Sequence, residues 1–269
     1  MKTIILKQKE IYTGDLILVN RAYKYHEQLS DLSVIGGGKS NIPLQNPRQK
    51  ILFERRAGIL LNQLMMEIGG WDHIVPVSGW RSLEEQQEIW NHSLAENGVE
   101  FTEKYVAVPG HSEHQTGLAV DLGLKQPEID FIRPYFPYEG ICQSFRKKAI
   151  TYGFVERYPA DKEMITQIGH EPWHFRYVGA PHAEIMAEKG LVLEEYIAVL
   201  RDFSYGKMPY RFKTDSGEAV ISYVKAERTI TELEIDDTHP YTISGNNVDG
   251  FIITQWRESD DNRKQICRN

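Results

Sequence analysis

The segment LAVDLGL (118–124) sets one carboxylate, Asp121, inside an apolar run, and no other feature constrains the fold as strongly. Successive side chains of a strand point to opposite faces, so Leu118, Val120 and Leu122 share one face and Asp121 takes the other. A carboxylate buried without a partner is very costly, so the second face must bring a partner to it. His114 stands seven residues before Asp121 and has the opposite parity in a continuous strand. The two converge only if the chain turns near Thr116-Gly117, which glycine permits.

The segment GHEPWHFRYVG (169–179) supplies a second pair, Glu171 and His174, again of opposite strand parity. Pro172 removes a backbone donor and holds Glu171 extended, which favours a local kink. With that kink, His174 can serve as a third ligand beside His114 and Asp121, with Glu171 next to the ion. Two histidines and one carboxylate leave a fourth position for water, the usual arrangement of a catalytic zinc. Nitrogen and oxygen donors also accept other divalent metals. Zinc lowers the pKa of such a water from near 16 to about 7, and a non-ligating glutamate can take its proton.

Arg81 lies between the strand-like HIVPVSGW (73–80) and a helix that opens at Ser82. Its guanidinium stays charged and can grip an oxyanion or a carboxylate through two donors. Gln86, one turn into that helix, can add amide contacts to a substrate. Each residue also has a plain structural reading. Asp121 can end a turn or pair with a lysine, Glu171 can be an exposed acid before a proline, and Arg81 can pair with Glu84 or Glu85. His26, His73, His92, His182 and His239 are read as surface or core histidines, and Trp80, Trp90 and Trp173 as core.

The rest of the chain reads as mixed α and β up to about residue 202. Strands are expected over 15–20 (DLILVN), 73–80, 118–124 and 173–178. Helices are expected over 51–70, from Ser82 to Gly98 with Glu85 completing a capping box, over 141–153 and over 181–190. GGGKSNIPLQNPRQK (36–50) reads as a long loop. From about 203 to 269 the period falls to two in AVISYV, TITELEI, YTIS and FIITQW, and GNNVDG marks a hairpin between the last two. The expected division is therefore 1–202 for the main domain and 203–269 for a small β-rich extension, in the α+β class.

Composition excludes several functions. A formal charge of −7 argues against a nucleic-acid partner, which needs a basic face. The apolar run Ile4-Ile5-Leu6 is closed at once by Lys7, well short of a signal peptide, and no window approaches the roughly 18–20 apolar residues of a membrane span. The two cysteines, Cys142 and Cys267, make no disulfide framework and suit a reducing compartment. A cytoplasmic protein without a membrane partner is expected.

SGWRSLEEQ (78–86), HSEHQTGLAVDLG (111–123) and HEPWHFRYVG (170–179) together resemble the zinc-dependent D-Ala-D-Ala carboxypeptidases and dipeptidases of the VanY/VanX group, which share a fold with the Hedgehog signalling domain. The likeness is greatest to the bifunctional VanXY type of vancomycin-resistant Gram-positive bacteria, and it spans roughly residues 10–200. The resemblance implies a small antiparallel sheet flanked by helices. It makes His114, Asp121 and His174 ligands of one Zn2+ per chain, Glu171 the general base and acid, and Arg81 the group that polarises the scissile carbonyl. Ser112 and Gln86 match positions that contact substrate. The implied activity is hydrolysis of the D-Ala-D-Ala dipeptide and removal of terminal D-Ala from UDP-linked muramyl pentapeptide, a route to glycopeptide resistance. Gly-Trp-Arg-Ser departs from relatives that carry Tyr before the Arg. The alternatives are an L,D-carboxypeptidase or endopeptidase acting on peptidoglycan, a metal-stabilised binding module without catalysis, and a homodimer built on the β extension.

Overall fold

The computed structural model describes residues 1–26, 31–36, 50–214 and 217–258. Its strands are β1 (Lys2–Lys7), β2 (Leu32–Val34), β3 (Leu52–Glu54), β4 (Ile74–Ser78), β5 (Ala119–Leu124) and β6 (Phe154–Tyr158), followed by β7 (Glu171–Tyr177), β8 (Tyr210–Thr214), β9 (Gly217–Lys225), β10 (Ile230–Ile235), β11 (Tyr241–Gly245) and β12 (Gly250–Glu258). Its helices are α1 (Arg55–Glu67), α2 (Leu83–Tyr105), α3 (Gly140–Ala149), α4 (Glu163–Thr166), α5 (His182–Lys189) and α6 (Leu193–Leu200). The α+β class read from the sequence is the class observed.

The chain groups into two units, one formed by Val19–Val192 and the other by Met1–Leu18 with the described residues from Leu193 onward. This differs from a division at 202/203. The first residues belong to the second unit because β1 pairs antiparallel with β10, Lys2 opposite Ile235 through Lys7 opposite Ile230. Helix α6 belongs there as well.

The Val19–Val192 unit is built on an antiparallel sheet in the order β4-β5-β7-β6, with β2 and β3 as a separate ribbon. Leu118, just before β5, and Val120 and Leu122 of β5 join Trp173, Phe175 and Tyr177 of β7 in one core, against Ala57, Leu61, Leu64 and Met65 of α1 and Phe145 of α3. The alternate positions, Asp121 on β5 with His174 and Arg176 on β7, face the opposite side and are buried as well. Period-two alternation thus separates an apolar face from a polar face inside one sheet.

Helix α1 starts at Arg55 rather than 51, since residues 52–54 pair with β2 and the Glu54 side chain accepts from Ala57 N–H (2.8 Å). Ser82 and Glu85 form the expected capping box on α2. That helix runs past Gly98, which kinks it at φ 78°, and ends at Tyr105. Helix α3 is followed by a short 3-10 turn and stops at Gly153, as the sequence suggests.

The β-rich unit holds a second sheet in the order β11-β12-β9-β8. Asn246 makes the hairpin between β11 and β12, its Oδ1 accepting from Val248, Asp249 and Gly250 N–H. DLILVN is not a strand. Leu16 N–H donates instead to Ser244 Oγ (2.9 Å) and Leu18 N–H to the Asn246 carbonyl (3.1 Å), so burial of Leu16, Ile17, Leu18 and Val19, not a ladder, explains its apolar character. Of the loop read at 36–50, all but Gly36 and Lys50 lies outside the described residues, as does Cys267.

Candidate metal centre and active site

Three local irregularities bring the polar groups together. Between Ser112 and Leu118 the chain makes a 3-10 turn at Glu113–Thr116 and leaves it through Gly117 at φ 75°. A side chain there would meet strain and a Leu32 methyl at 2.8 Å. The turn brings His114 back over β5, so that its Nε2 lies 3.1 Å from Asp121 Oδ2. On β7 the second irregularity is an offset in pairing with β6. Phe175 stands opposite Glu156 and Glu171 opposite Tyr158, so two steps on β6 match four on β7. The bulge contains Pro172, which has no N–H for the ladder, and it places Glu171 on the same side as His174, with Oε2 3.6 Å from His174 Nδ1. The third lies in β4, where the pairing with β5 shifts between Pro76 and Ser78 and sets Ser78 opposite Asp121.

His114, Asp121 and His174 each offer a ligand atom, and these atoms lie within 4.8 Å of one another. Asp121 and His174 are direct neighbours across β5 and β7, with Asp121 Oδ1 3.0 Å from His174 Nδ1. The buried Asp121 Oδ1 has no hydrogen-bond partner. His114 Nδ1 is fixed by the Gly79 carbonyl at 2.6 Å, which leaves its Nε2 lone pair facing Asp121. These residues fit a divalent cation. Their donors are imidazole nitrogen and carboxylate oxygen, they are buried, and they converge from three elements on one point.

Arg81 is held at three places. Nε donates to Ser78 Oγ (2.7 Å), one terminal nitrogen to Asp121 Oδ2 (2.8 Å) and the other to Gln86 Oε1 (3.3 Å). Glu85 is occupied with the Ser82 cap, so Arg81 pairs with Asp121 instead of a surface acid. Gln86 uses its other end on the Ala107 carbonyl (2.8 Å), which makes it a brace for Arg81. Ser112 is buried and lines the same cleft as Arg81, Phe131, Tyr158, Glu171 and Trp173. Trp173 also joins the core, while Trp80 and Trp90 are half-buried.

The groups differ sharply in proton affinity. Burial, helped by the Arg81 charge, pushes the His114 imidazole down to about 4, so it is neutral and ready to donate. Burial works against a charged His174, but the surrounding carboxylates of Asp121, Glu113 and Glu171 outweigh it and raise the ring to about 9. Burial opposes ionisation of Asp121 also, yet the two histidines hold that carboxyl well below its usual range. Glu171 has no such compensation. Burial, reinforced by Asp121 and Glu113, lifts its carboxyl to about 8 against the opposing pull of His174 and Arg81.

Glu113 is a buried residue that the motif reading left without a role. Its Oε1 meets Arg157 Nε at 2.9 Å and an Arg176 terminal nitrogen at 2.9 Å. A signal for it exists in WHFRYV, where Arg176 shares the buried face of His174 and therefore demands an acid close by.

The VanY family, described as D-alanyl-D-alanine carboxypeptidase, matches residues 61–180. The bifunctional D-Ala-D-Ala dipeptidase and D-Ala-D-Ala carboxypeptidase VanXYC of Enterococcus gallinarum is 49% identical over 121 residues, 45% of this chain and 64% of that protein's length. The crystal structure of the vancomycin-resistance D,D-dipeptidase VanXYg, in complex with a D-Ala-D-Ala phosphinate analogue, is 48% identical with a TM-score of 0.88. That likeness covers 95% of this chain and 99% of the other. The chain belongs to the VanXY/VanY family of D-Ala-D-Ala peptidases. A VanY D,D-pentapeptidase variant from a VanB-type cassette, solved with Zn(II), is similar at 31% identity and a TM-score of 0.56, over 68% of this chain and 98% of that one. In this VanXY/VanY chain the matched span 61–180 contains Arg81, Gln86, Ser112, His114, Asp121, Glu171 and His174. No helix among the described residues is long and apolar enough to cross a membrane.

Proposed function

We propose that this chain is a cytoplasmic zinc D,D-peptidase. It hydrolyses the D-Ala-D-Ala dipeptide and trims the terminal D-Ala from the UDP-linked muramyl pentapeptide, so depleting the target of glycopeptide antibiotics. The observation that carries this reading is the convergence of His114, Asp121 and His174 within 4.8 Å, with a non-ligating carboxylate, Glu171, 3.6 Å from His174. A purely structural metal site has no use for that extra acid. The similarity to a dipeptidase solved with a D-Ala-D-Ala analogue supports the substrate class.

His114, Asp121 and His174 would hold one zinc ion. When bound, zinc acidifies water and draws electron density from a carbonyl oxygen. Glu171 takes the proton of the attacking water and returns it to the leaving amine; burial lifts it to about 8 in the ion-free protein, and a bound cation would favour the carboxylate form that a base needs. Arg81 faces the oxygen on which negative charge develops, and Gln86 and Ser78 keep it aimed there. Ser112 contacts the substrate, and Gln86 acts on it indirectly by bracing Arg81. Phe131, Tyr158 and Trp173 restrict water on the walls of the cleft. The peptidase is assigned to the Val19–Val192 unit.

Metal analysis paired with D-Ala release tests the reading. One zinc per chain is expected, with D-Ala released from the dipeptide and from pentapeptide precursor but not from a tetrapeptide ending in L-Lys-D-Ala. Release from the tetrapeptide alone turns the assignment to an L,D-carboxypeptidase, and zinc uptake without any release leaves only a binding module.

Zinc affinity is expected to depend on pH with a definite sign. Below about 9 the His174 ring of the ion-free protein carries a proton that coordination must displace, whereas His114, titrating near 4, has none to lose. Affinity should therefore rise roughly ten- to a hundredfold per pH unit from 6 to 8, as about one to two protons are released per ion, the second from Glu171. Calorimetry in buffers of differing ionisation enthalpy measures this number, and zero protons released contradicts the proposed ligand set.

A further inference from the structure

We propose that Glu113 is a positioning residue for the metal centre: its carboxylate, clamped by Arg157 and Arg176, accepts the His174 Nε2–H and so fixes the ring with Nδ1 turned toward the ion. The inference deepens the reading above and rests on His174 being a ligand.

The geometry is specific. Both arginines meet the same oxygen, Oε1, at 2.9 Å each. The other oxygen, Oε2, is buried without a hydrogen-bond partner and lies 3.7 Å from His174 Nε2, itself buried without a partner. An ion pair serving only to neutralise the two arginines would not leave one carboxylate oxygen facing an imidazole edge. His174 presents Nδ1 to Asp121 at 3.0 Å, so on coordination its proton must sit on Nε2. A buried N–H needs an acceptor, and Oε2 stands in front of it. A movement of about 0.8 Å closes 3.7 Å to an ordinary N–H···O length. Glu113, Arg157 and Arg176 are themselves almost fully buried, so the acceptor is rigidly placed. His114 is oriented in the same manner by the Gly79 carbonyl, and the two rings cross edge to face at 5.0 Å and 88°. One ligand is thus set by a backbone acceptor and the other by a carboxylate, which also strengthens the donor opposite it.

The test is zinc affinity by chelator competition in wild type, Glu113→Gln and Glu113→Asp, with ring 15N spectra of the zinc-loaded protein. Glutamine keeps the size of the side chain but has a single acceptor oxygen. If that oxygen serves the arginines, the amide N–H groups oppose His174 Nε2–H. The expected loss for Glu113→Gln is about 10–100-fold in zinc affinity, with Glu113→Asp recovering part of it. Wild-type spectra should show His174 as the Nε2–H tautomer bound through Nδ1, its ring proton slow to exchange with solvent, and Glu113→Gln should shift or lose that resonance.

A folded Glu113→Gln that binds zinc within twofold of wild type overturns the proposal, whatever its thermal stability. If Glu113→Gln does not fold, the wild-type spectrum decides alone, and an Nδ1–H tautomer of His174 overturns it. Failure of the wild-type protein to take up zinc overturns the underlying metal assignment instead, so the two failures are distinguishable.

Discussion

Glu171→Gln is expected to lower turnover of D-Ala-D-Ala by about 10²–10⁴-fold, the usual contribution of a positioned general base, while the protein keeps its full complement of zinc. The substitution is nearly isosteric and removes an acid that burial holds largely protonated in the ion-free protein, so the fold has little to lose. His114, Asp121 and His174 are untouched, and the loss should therefore appear in kcat with zinc stoichiometry unchanged. Steady-state D-Ala release, read beside metal content of the same sample, separates the two quantities. Turnover within tenfold of wild type at full zinc occupancy would remove Glu171 from the proton-transfer role.

Arg81→Ala should cost about 10²–10³-fold in kcat/KM, the scale on which enzymes lose a donor to a developing oxyanion. The three contacts to Ser78, Asp121 and Gln86 show that the guanidinium is built in beforehand. Its placement costs nothing at the moment of reaction. Arg81→Lys is expected to recover little, since a single ammonium cannot reproduce three directed bonds from one planar group. Because Arg81 bonds Asp121, either substitution alters the surroundings of that carboxylate, so activity must be compared at saturating zinc. A lysine variant with near wild-type kcat/KM would show that charge alone suffices and that the fork geometry is incidental.

Much of the site is legible in the sequence because strand parity is a hard constraint. Asp121 inside LAVDLGL requires a polar face, and the turn at Thr116-Gly117 and the interruption at Pro172 are both present where parity arguments require the chain to deviate. Less visible was everything set by distant pairing. DLILVN carries strand chemistry, but its donors are taken by Ser244 and Asn246, more than two hundred residues away in sequence. Gln86 reads as a substrate contact on one helix, whereas the structure joins it to Arg81 and Ala107. Glu113 stands beside His114 in HSEH, and only the arrival of Arg157 and Arg176 from two other strands shows why an acid is kept there.

The pairing of β1 with β10 has a consequence for the order of events during synthesis. Lys2–Lys7 leave the ribosome well before their partner, Ile230–Ile235, which is translated more than two hundred residues later. At ordinary rates of elongation that interval is roughly 10–40 s. The segment must therefore wait without its β10 partner while the Val19–Val192 span is translated, and the β1–β10 ribbon can close only after Ile230–Ile235 have emerged.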